Sequence, residues 1–181
     1  PVEEVTYVTD NLEELYEHNV TKTGLRWRLR TLNEMLGSLR KGDFGFVFAR
    51  PESGKTTFLS SEVSYFASQT ESTILWFNNE EQGEKVQLRC DQATLGLTLD
   101  KLWLDVAGNQ QKYKDLVGNR IKIIDSANIY RRDVDRIVKQ VQPALIVFDQ
   151  IDKVKGFDAD REDLRLGAIY SIDTFGGQKL C

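Results

Sequence analysis

The chain has 181 residues, of which 40% are hydrophobic and 29% are charged, and its net charge at pH 7 is −4. This length and composition predict one soluble globular domain with a sizeable core, and the charge excludes a globally basic nucleic-acid binder. The single histidine, His18, and two distant cysteines, Cys90 and Cys181, have no metal-ligand spacing, which excludes a zinc site. The sequence shows no long apolar span and no signal-peptide pattern, so we expect a cytoplasmic protein with no membrane association.

Residues 1–23 are polar and acidic, and they are predicted to form a linker that carries one short helix. The tetrapeptide Asp10-Asn11-Leu12-Glu13 has the form of a capping box, and apolar residues follow it at helical spacing. Because such a short helix has little apolar surface, we expect it to lean on the core or on a neighbouring subunit.

Four apolar runs are predicted to be buried strands. They cover residues 44–49, 73–77, 121–124 and 144–148. Near-continuous apolar runs suit a parallel sheet that is covered on both faces. Amphipathic stripes at residues 59–67 and 134–141 predict helices between the runs, whereas residues 96–119 fit either a helix or an irregular cover. The alternation of strands and helices predicts a doubly wound α/β domain.

The first run leads into a loop that ends in Gly-Lys-Thr-Thr and is followed by a helical pattern. This order is the P-loop arrangement, in which backbone N–H groups and a helix N-terminus cradle phosphates. Lys55 would reach the β- and γ-phosphates, and the Thr56 hydroxyl would ligate Mg²⁺. The residues predicted to bind the nucleotide are Ala49, Arg50, Pro51, Glu52, Ser53, Gly54, Lys55, Thr56 and Thr57. Because Ala49 replaces the usual first glycine and Pro51 lacks an N–H, the alternative is an ordinary strand-to-helix turn.

Two carboxylates near strand ends are further candidates for the same site. Asp149 ends the run that begins at Ala144, which is the Walker B pattern of a residue that supports Mg²⁺ beside the P-loop hydroxyl. Glu80 follows the second run, and parallel sheets bind ligands at the carboxyl ends of their strands. Glu80 is therefore the candidate that polarises the attacking water, with Glu81 as the fallback. The alternative is an acidic first turn of a helix, which the helix dipole favours.

The stretch Ala-Arg-Pro-x-x-Gly-Lys-Thr-Thr-Phe at residues 49–58 resembles the P-loop of the DnaB-type replicative helicases, which are RecA-like ATPases that also tolerate alanine at the first position. Residues 76–80 are similar to the family segment that ends in the catalytic glutamate, and Glu84 and Arg89 stand at matching places on the next helix. The resemblance covers residues 24–170. It implies a RecA-like P-loop NTPase core of phage or bacterial origin, with a mostly parallel sheet and helices on both faces.

The resemblance also implies ATP and Mg²⁺ as cofactors, hydrolysis between the subunits of a hexameric ring, and movement on single-stranded DNA during replication. Lys55 and Thr56 would then hold phosphate and Mg²⁺, Glu80 would activate water, and Asp149 would support the metal. Family members bind DNA through loops after the Walker B strand, where Lys155 is a candidate contact together with Arg161. A solvated loop and helix start is the alternative for that segment.

The resemblance stops after Tyr170, and residues 171–181 form an atypical tail in which Gly176-Gly177 disfavours a continued helix. We therefore expect a truncated or altered ATPase core that lacks its own arginine finger, and feeble turnover by the isolated chain. Two other functions stay open, namely a RecA-type recombination ATPase and a nucleotide-switch module with little turnover. DNA-stimulated hydrolysis separates a motor from a switch, and unwinding of a forked duplex separates a helicase from a recombinase.

Overall fold

The computed structural model describes residues 11–21, 24–50, 52–126 and 128–156 of the chain. Its helices and strands follow in the order α1 (Leu12–Thr21), α2 (Arg30–Leu36), α3 (Lys55–Ala67), β1 (Ile74–Asn78), α4 (Gly83–Leu95), α5 (Leu99–Leu104), α6 (Val106–Leu116), β2 (Ile121–Asp125), α7 (Arg131–Val141) and β3 (Leu145–Asp149). A 3-10 turn, Ile151–Lys153, follows β3. Helices alternate with strands from α3 onward, which is the chain order of an α/β domain.

The three strands form a parallel sheet in the order β2-β1-β3. Three of the predicted strands are thereby confirmed as strands, and each ends one residue later than its apolar run. Only β1 is buried throughout, whereas β2 and β3 are partly exposed. The added residues are polar and aligned, because Asn78 of β1 lies opposite both Asp125 of β2 and Asp149 of β3. The carboxyl edge of the sheet is therefore a row of polar side chains.

Helices cover both faces of the sheet, as predicted. Alternate residues of a strand point to opposite faces, and all five residues of β1 are buried. One face packs Ile74 and Trp76 of β1 with Val63, Phe66 and Ala67 of α3 and with Val86 and Cys90 of α4. The other face packs Leu75 and Phe77 of β1 with Val134 and Val138 of α7. Each fully buried large apolar side chain contributes about 1.5–3 kcal/mol to stability, so the central strand anchors the fold.

The prediction of a strand at residues 44–49 was wrong. No described strand pairs with this segment or with the outer edge of β3, and Phe48 is 88% exposed. The rings of Phe44, Phe46 and Phe48 instead contact one another in sequence, with centroids 4.6 Å and 5.5 Å apart. Apolar character predicts a tendency to burial, but burial in a sheet also needs a partner strand in register and a covering layer. Here the alternating phenylalanines pack along their own chain.

Helix α1 is confirmed, but its capping box lies one residue later than predicted. Asn11 Oδ1 accepts hydrogen bonds from the N–H groups of Glu13 and Glu14, both at 3.0 Å, and Asn11 N–H donates to Glu14 Oε2 at 2.9 Å. Leu12 and Tyr16 are exposed, so α1 does not bury these residues against the described part of the core. Contact with a neighbouring subunit stays a prediction.

Residues 96–119, which fitted either a helix or an irregular cover, contain the two helices α5 and α6. Asp105 is the N-cap of α6, and its Oδ1 accepts a hydrogen bond from the Gly108 N–H at 3.0 Å, which satisfies one of the free donors of the first turn. Within the described ranges, no helix combines the length and the apolar character needed to cross a membrane.

Cys90 provides a test of the packing between α4 and α3. Its side chain is fully buried, and burial raises the pKa of its thiol to about 11. Because the thiolate is the reactive form, we expect a Cys181→Ser variant to react with Ellman's reagent at about pH 8 at least 100-fold more slowly when native than when unfolded in urea. The measurement is the rate of thiol release with and without denaturant. Equal rates would show that α3 does not cover this thiol.

Candidate active site

Four predicted site residues form one cluster at the carboxyl edge of the sheet, namely Lys55, Thr56, Glu80 and Asp149. Lys55 Nζ donates to Glu80 Oε2 at 2.7 Å and lies 3.0 Å from Asp149 Oδ1. The Thr56 hydroxyl donates to Asp149 Oδ2 at 2.9 Å. These residues come from three separate parts of the chain, and the fold brings their functional atoms within hydrogen-bonding distance.

The parallel sheet explains this convergence. Glu80 comes two residues after the end of β1, and Asp149 is the last residue of the neighbouring strand β3. The strands are in register, so their carboxyl ends lie side by side. Lys55 and Thr56 are the first residues of α3, which packs on one face of the sheet and presents its N-terminus at the same edge.

The loop before α3 makes a tight turn. Both the backbone N–H and the hydroxyl of Ser53 donate to the Arg50 carbonyl, at 3.2 Å and 2.6 Å. Gly54 precedes the helix with φ +89°, a left-handed conformation that glycine adopts without strain. Among the described residues, no side chain caps the helix, and its first turn holds no acidic residue. Its N–H groups and positive dipole end can therefore receive an anion.

The other residues of the predicted nucleotide loop are solvent-exposed or outside the described ranges. Ala49, Glu52 and Thr57 are exposed, and Pro51 is not among the residues that the structure describes. Their contacts with a nucleotide stay a prediction.

The three charged side chains perturb one another. Burial raises the pKa of Asp149, although hydrogen bonds from Lys55 and Thr56 act in the opposite direction. The hydrogen bond from Lys55 lowers the pKa of Glu80 against the opposing effect of burial. Burial would lower the pKa of Lys55, but the hydrogen bonds and charges of Glu80 and Asp149 outweigh it and raise that pKa above its ordinary value. Lys55 is therefore a charged ammonium at neutral pH, held by two internal counter-ions.

Three polar residues beside this cluster were not predicted. Asn78 is buried, and its Nδ2 donates to the Glu81 carbonyl at 2.6 Å and to Asp125 Oδ1 at 3.0 Å. Asn79 Nδ2 donates to the Gln150 carbonyl at 2.9 Å. The sequence signal that could have found them is position, because each stands at or directly after the carboxyl end of a buried strand.

The structure separates the two glutamate candidates. Glu81 forms an ion pair with Arg89 of α4, whereas Glu80 faces Lys55. Glu84 is exposed in the first turn of α4, as expected of an acidic residue at a helix N-terminus. Only Glu80 of these carboxylates contacts the Lys55 cluster.

Of the two predicted DNA contacts, only Lys155 is among the described residues, and its contacts lie outside this cluster. Lys155 Nζ donates to Asn128 Oδ1 at 2.5 Å, and its backbone bridges to Tyr130 just before α7. Arg161 lies outside the described residues. A role of either residue with nucleic acid stays a prediction.

Comparison with known proteins gives the family. A family model described as AAA domain matches residues 12–171, which is most of the chain. The chain belongs to the AAA domain family. AAA domains of this type are P-loop nucleoside triphosphatases, so the loop before α3 and the charged cluster beside it form the candidate nucleotide site.

One curated relative is the replicative DNA helicase DnaC of Bacillus subtilis (strain 168). It is 29% identical to this AAA domain over 80 residues, which are 44% of the chain and 18% of the helicase. The matched part therefore spans less than a fifth of that relative. The similarity covers a part of that helicase, and any helicase activity of this chain is a proposal.

The site of this AAA domain fits Mg²⁺, which the family generally uses with ATP. Thr56 and Asp149 offer oxygen ligands, and the buried Oδ1 atom of Asp149 lies 3.0 Å from the Lys55 ammonium. Within the described ranges, no group of three or more histidine, cysteine, aspartate or glutamate side chains could hold a metal. Mg²⁺ needs no such group, because it binds through one or two carboxylates together with phosphates and waters.

Proposed function

We propose that this AAA domain is the RecA-like ATPase core of a DnaB-type replicative helicase, which couples ATP hydrolysis to movement along single-stranded DNA. In this proposal residues 24–170 form the ATPase core, residues 1–23 are a linker, residues 171–181 are a tail, and copies of the chain form a hexameric ring in the cytoplasm. The observation that carries the proposal is the Lys55 ammonium between Glu80 and Asp149, at the N-terminus of a helix that no described side chain caps. The similarity to a replicative DNA helicase supports it.

Phosphate binding would exchange the partners of Lys55. The β- and γ-phosphates of ATP would take the place of the Glu80 and Asp149 carboxylates around the ammonium. The backbone N–H groups of residues 49–57, apart from Pro51, would cradle the phosphates. This exchange releases the Glu80 carboxylate, which can then accept a proton from a water molecule. The internal ion pair of the free protein would thus hold the water-activating group in place until the nucleotide arrives.

In the hydrolysis step, the water oxygen forms a bond to the γ-phosphorus and the bond between that phosphorus and the bridging oxygen of ADP breaks. The proton of the water passes to Glu80, and ADP leaves with the electron pair of the broken bond. Thr56 and Asp149 would hold Mg²⁺, which when bound neutralises charge on the phosphates. Lys55 would stabilise the negative charge that develops on the transferred group.

The experiment that tests the proposal is ATP turnover with and without single-stranded DNA, followed by unwinding of a forked duplex. We expect turnover by the isolated chain to be feeble without DNA and to rise severalfold with it, and we expect the fork to open. Lys155→Ala should weaken DNA binding. It should also reduce the slope of log affinity against log salt concentration by about one, the change expected when one phosphate contact is lost. Lys139→Ala, on the exposed side of α7, should do neither.

The other outcomes identify the alternative functions. Stimulation by DNA without unwinding would contradict the helicase proposal and favour a recombination ATPase. Nucleotide binding with no effect of DNA on turnover would contradict any DNA motor and favour a nucleotide switch.

A further inference from the structure

Asn79, the residue between β1 and Glu80, forms three hydrogen bonds with the backbone at the end of β3. Its backbone N–H donates to the Asp149 carbonyl at 2.9 Å. Its side-chain Nδ2 donates to the Gln150 carbonyl at 2.9 Å, and its Oδ1 accepts from the Gln150 N–H. The amide side chain therefore satisfies both backbone polar groups of Gln150, as a neighbouring strand would.

Three further hydrogen bonds restrain the turn that holds Glu80. Lys153 Nζ donates to the Asn79 carbonyl at 3.1 Å, so residues 149–153 hold Asn79 through four hydrogen bonds. On the other side of Glu80, Asn78 is bonded to the Glu81 carbonyl and to Asp125 of β2. Glu80 thus lies in a turn that β3 restrains through Asn79 and that β2 restrains through Asn78.

We propose that Asn79 is a positioning residue for hydrolysis. Its side-chain amide fixes Glu80 relative to Asp149 through its two hydrogen bonds with the backbone of Gln150, which we call the Asn79–Gln150 clasp. The inference rests on the proposed function, in which Glu80 activates water. Asn79 immediately precedes Glu80 and Gln150 immediately follows Asp149, so the clasp joins the two carboxylates of the site through their chain neighbours. Displacement of residues 150–153 would be transmitted to Glu80 by the same hydrogen bonds.

The expected effect of losing the clasp is on catalysis more than on binding. The contacts of Lys55 and Thr56 with a nucleotide do not depend on Asn79, whereas a general base must be held within a fraction of an ångström of its working position. A displacement of about 1 Å can lower a rate by about 100-fold. We therefore expect Asn79→Ala to lower the single-turnover rate constant at saturating ATP by about 10- to 100-fold, and to leave the affinity for a non-hydrolysable ATP analogue within about threefold.

A double-mutant cycle with Glu80→Gln tests whether Asn79 acts through Glu80. Asn79→Ala should slow hydrolysis in the wild-type background and change it by less than about twofold in the Glu80→Gln background, because residues that act as a unit are not additive. Asn119→Ala is the matched control, since Asn119 is exposed in the turn before β2, at the amino end of that strand. Asn79→Asp keeps the acceptor oxygen for the Gln150 N–H, and it should lose less activity than Asn79→Ala while showing the same non-additivity.

The outcomes separate this inference from the proposed function. An unchanged rate in Asn79→Ala would overturn the positioning role alone, as would an equal loss of rate in both backgrounds. A parallel loss of rate, nucleotide affinity and melting temperature in both Asn79 variants would show that the clasp is merely structural, which also overturns it. A wild-type chain that binds no nucleotide, or binds it without hydrolysis under single-turnover conditions, would overturn the proposed function and this inference together.

Discussion

Replacement of Lys55 by alanine is expected to weaken binding of a non-hydrolysable ATP analogue by at least about 100-fold in the presence of Mg²⁺. A hydrogen bond to a charged group is worth about 1.5–3 kcal/mol, and 1.4 kcal/mol corresponds to a tenfold change in affinity. Lys55 would contact two phosphates, so both bonds are lost together. The measurement is a calorimetric titration of wild-type and variant protein at the same concentrations.

The matched control for this variant is Lys139→Ala, which removes one positive charge from the exposed side of α7. It should bind the analogue as the wild type does, and circular dichroism should show that both variants are folded. If Lys55→Ala binds within about threefold of the wild type, the loop before α3 is not the phosphate site. In that case the ion pairs of Lys55 serve only the fold.

The second large effect is expected for Glu80→Gln, which should lower the single-turnover rate of ATP hydrolysis by about 100- to 1,000-fold. The amide keeps the shape of the side chain but cannot take a proton from water, and general base catalysis typically contributes about 10²–10⁴-fold. Nucleotide affinity should stay equal or rise, because the neutral amide binds Lys55 more weakly than the carboxylate does and is displaced more easily by the phosphates. Single-turnover conditions with excess protein make the measurement possible even where steady-state turnover is feeble.

Glu81→Gln is the matched control for this prediction. Glu81 is the next residue in the chain, but it pairs with Arg89 and does not face Lys55. We expect its variant to hydrolyse ATP within a few-fold of the wild-type rate. A large loss in Glu81→Gln together with near-normal activity in Glu80→Gln would reverse the assignment of the two glutamates.

The sequence was sufficient to predict most of the α/β pattern and the convergence of the charged residues. The apolar runs identify the three strands most clearly at β1, because a strand that is buried on both faces has little room for polar side chains. Once the sheet is parallel, Asp149 and the turn that holds Glu80 must lie at one edge, since the carboxyl ends of neighbouring strands coincide. The site was therefore predictable from chain order and sheet geometry, without knowledge of side-chain contacts.

The features that were missed depend on contacts between distant segments. Nothing in the local pattern shows that Asn79 pairs with Gln150, because 71 residues separate them and neither has a distinctive neighbourhood. The capping box was placed on Asp10 and Glu13 because two adjacent polar residues, Asp10 and Asn11, can each cap a helix. The segment 44–49 was misassigned because hydrophobicity is a local property, whereas strand pairing depends on which edges the rest of the fold presents.

The absence of strand pairing at residues 44–49 has a consequence for the thermodynamics of ligand binding. Among the described residues, this segment forms no backbone hydrogen bond with the sheet, so the phosphate loop is anchored by α3 at one end only. Fixing the backbone of a residue costs roughly 1–2 kcal/mol of conformational entropy, and a nucleotide that orders several loop residues must offset that cost. Titration of the chain with a nucleotide should therefore show a strongly favourable enthalpy opposed by an unfavourable entropy, and an affinity lower than the number of phosphate contacts would suggest.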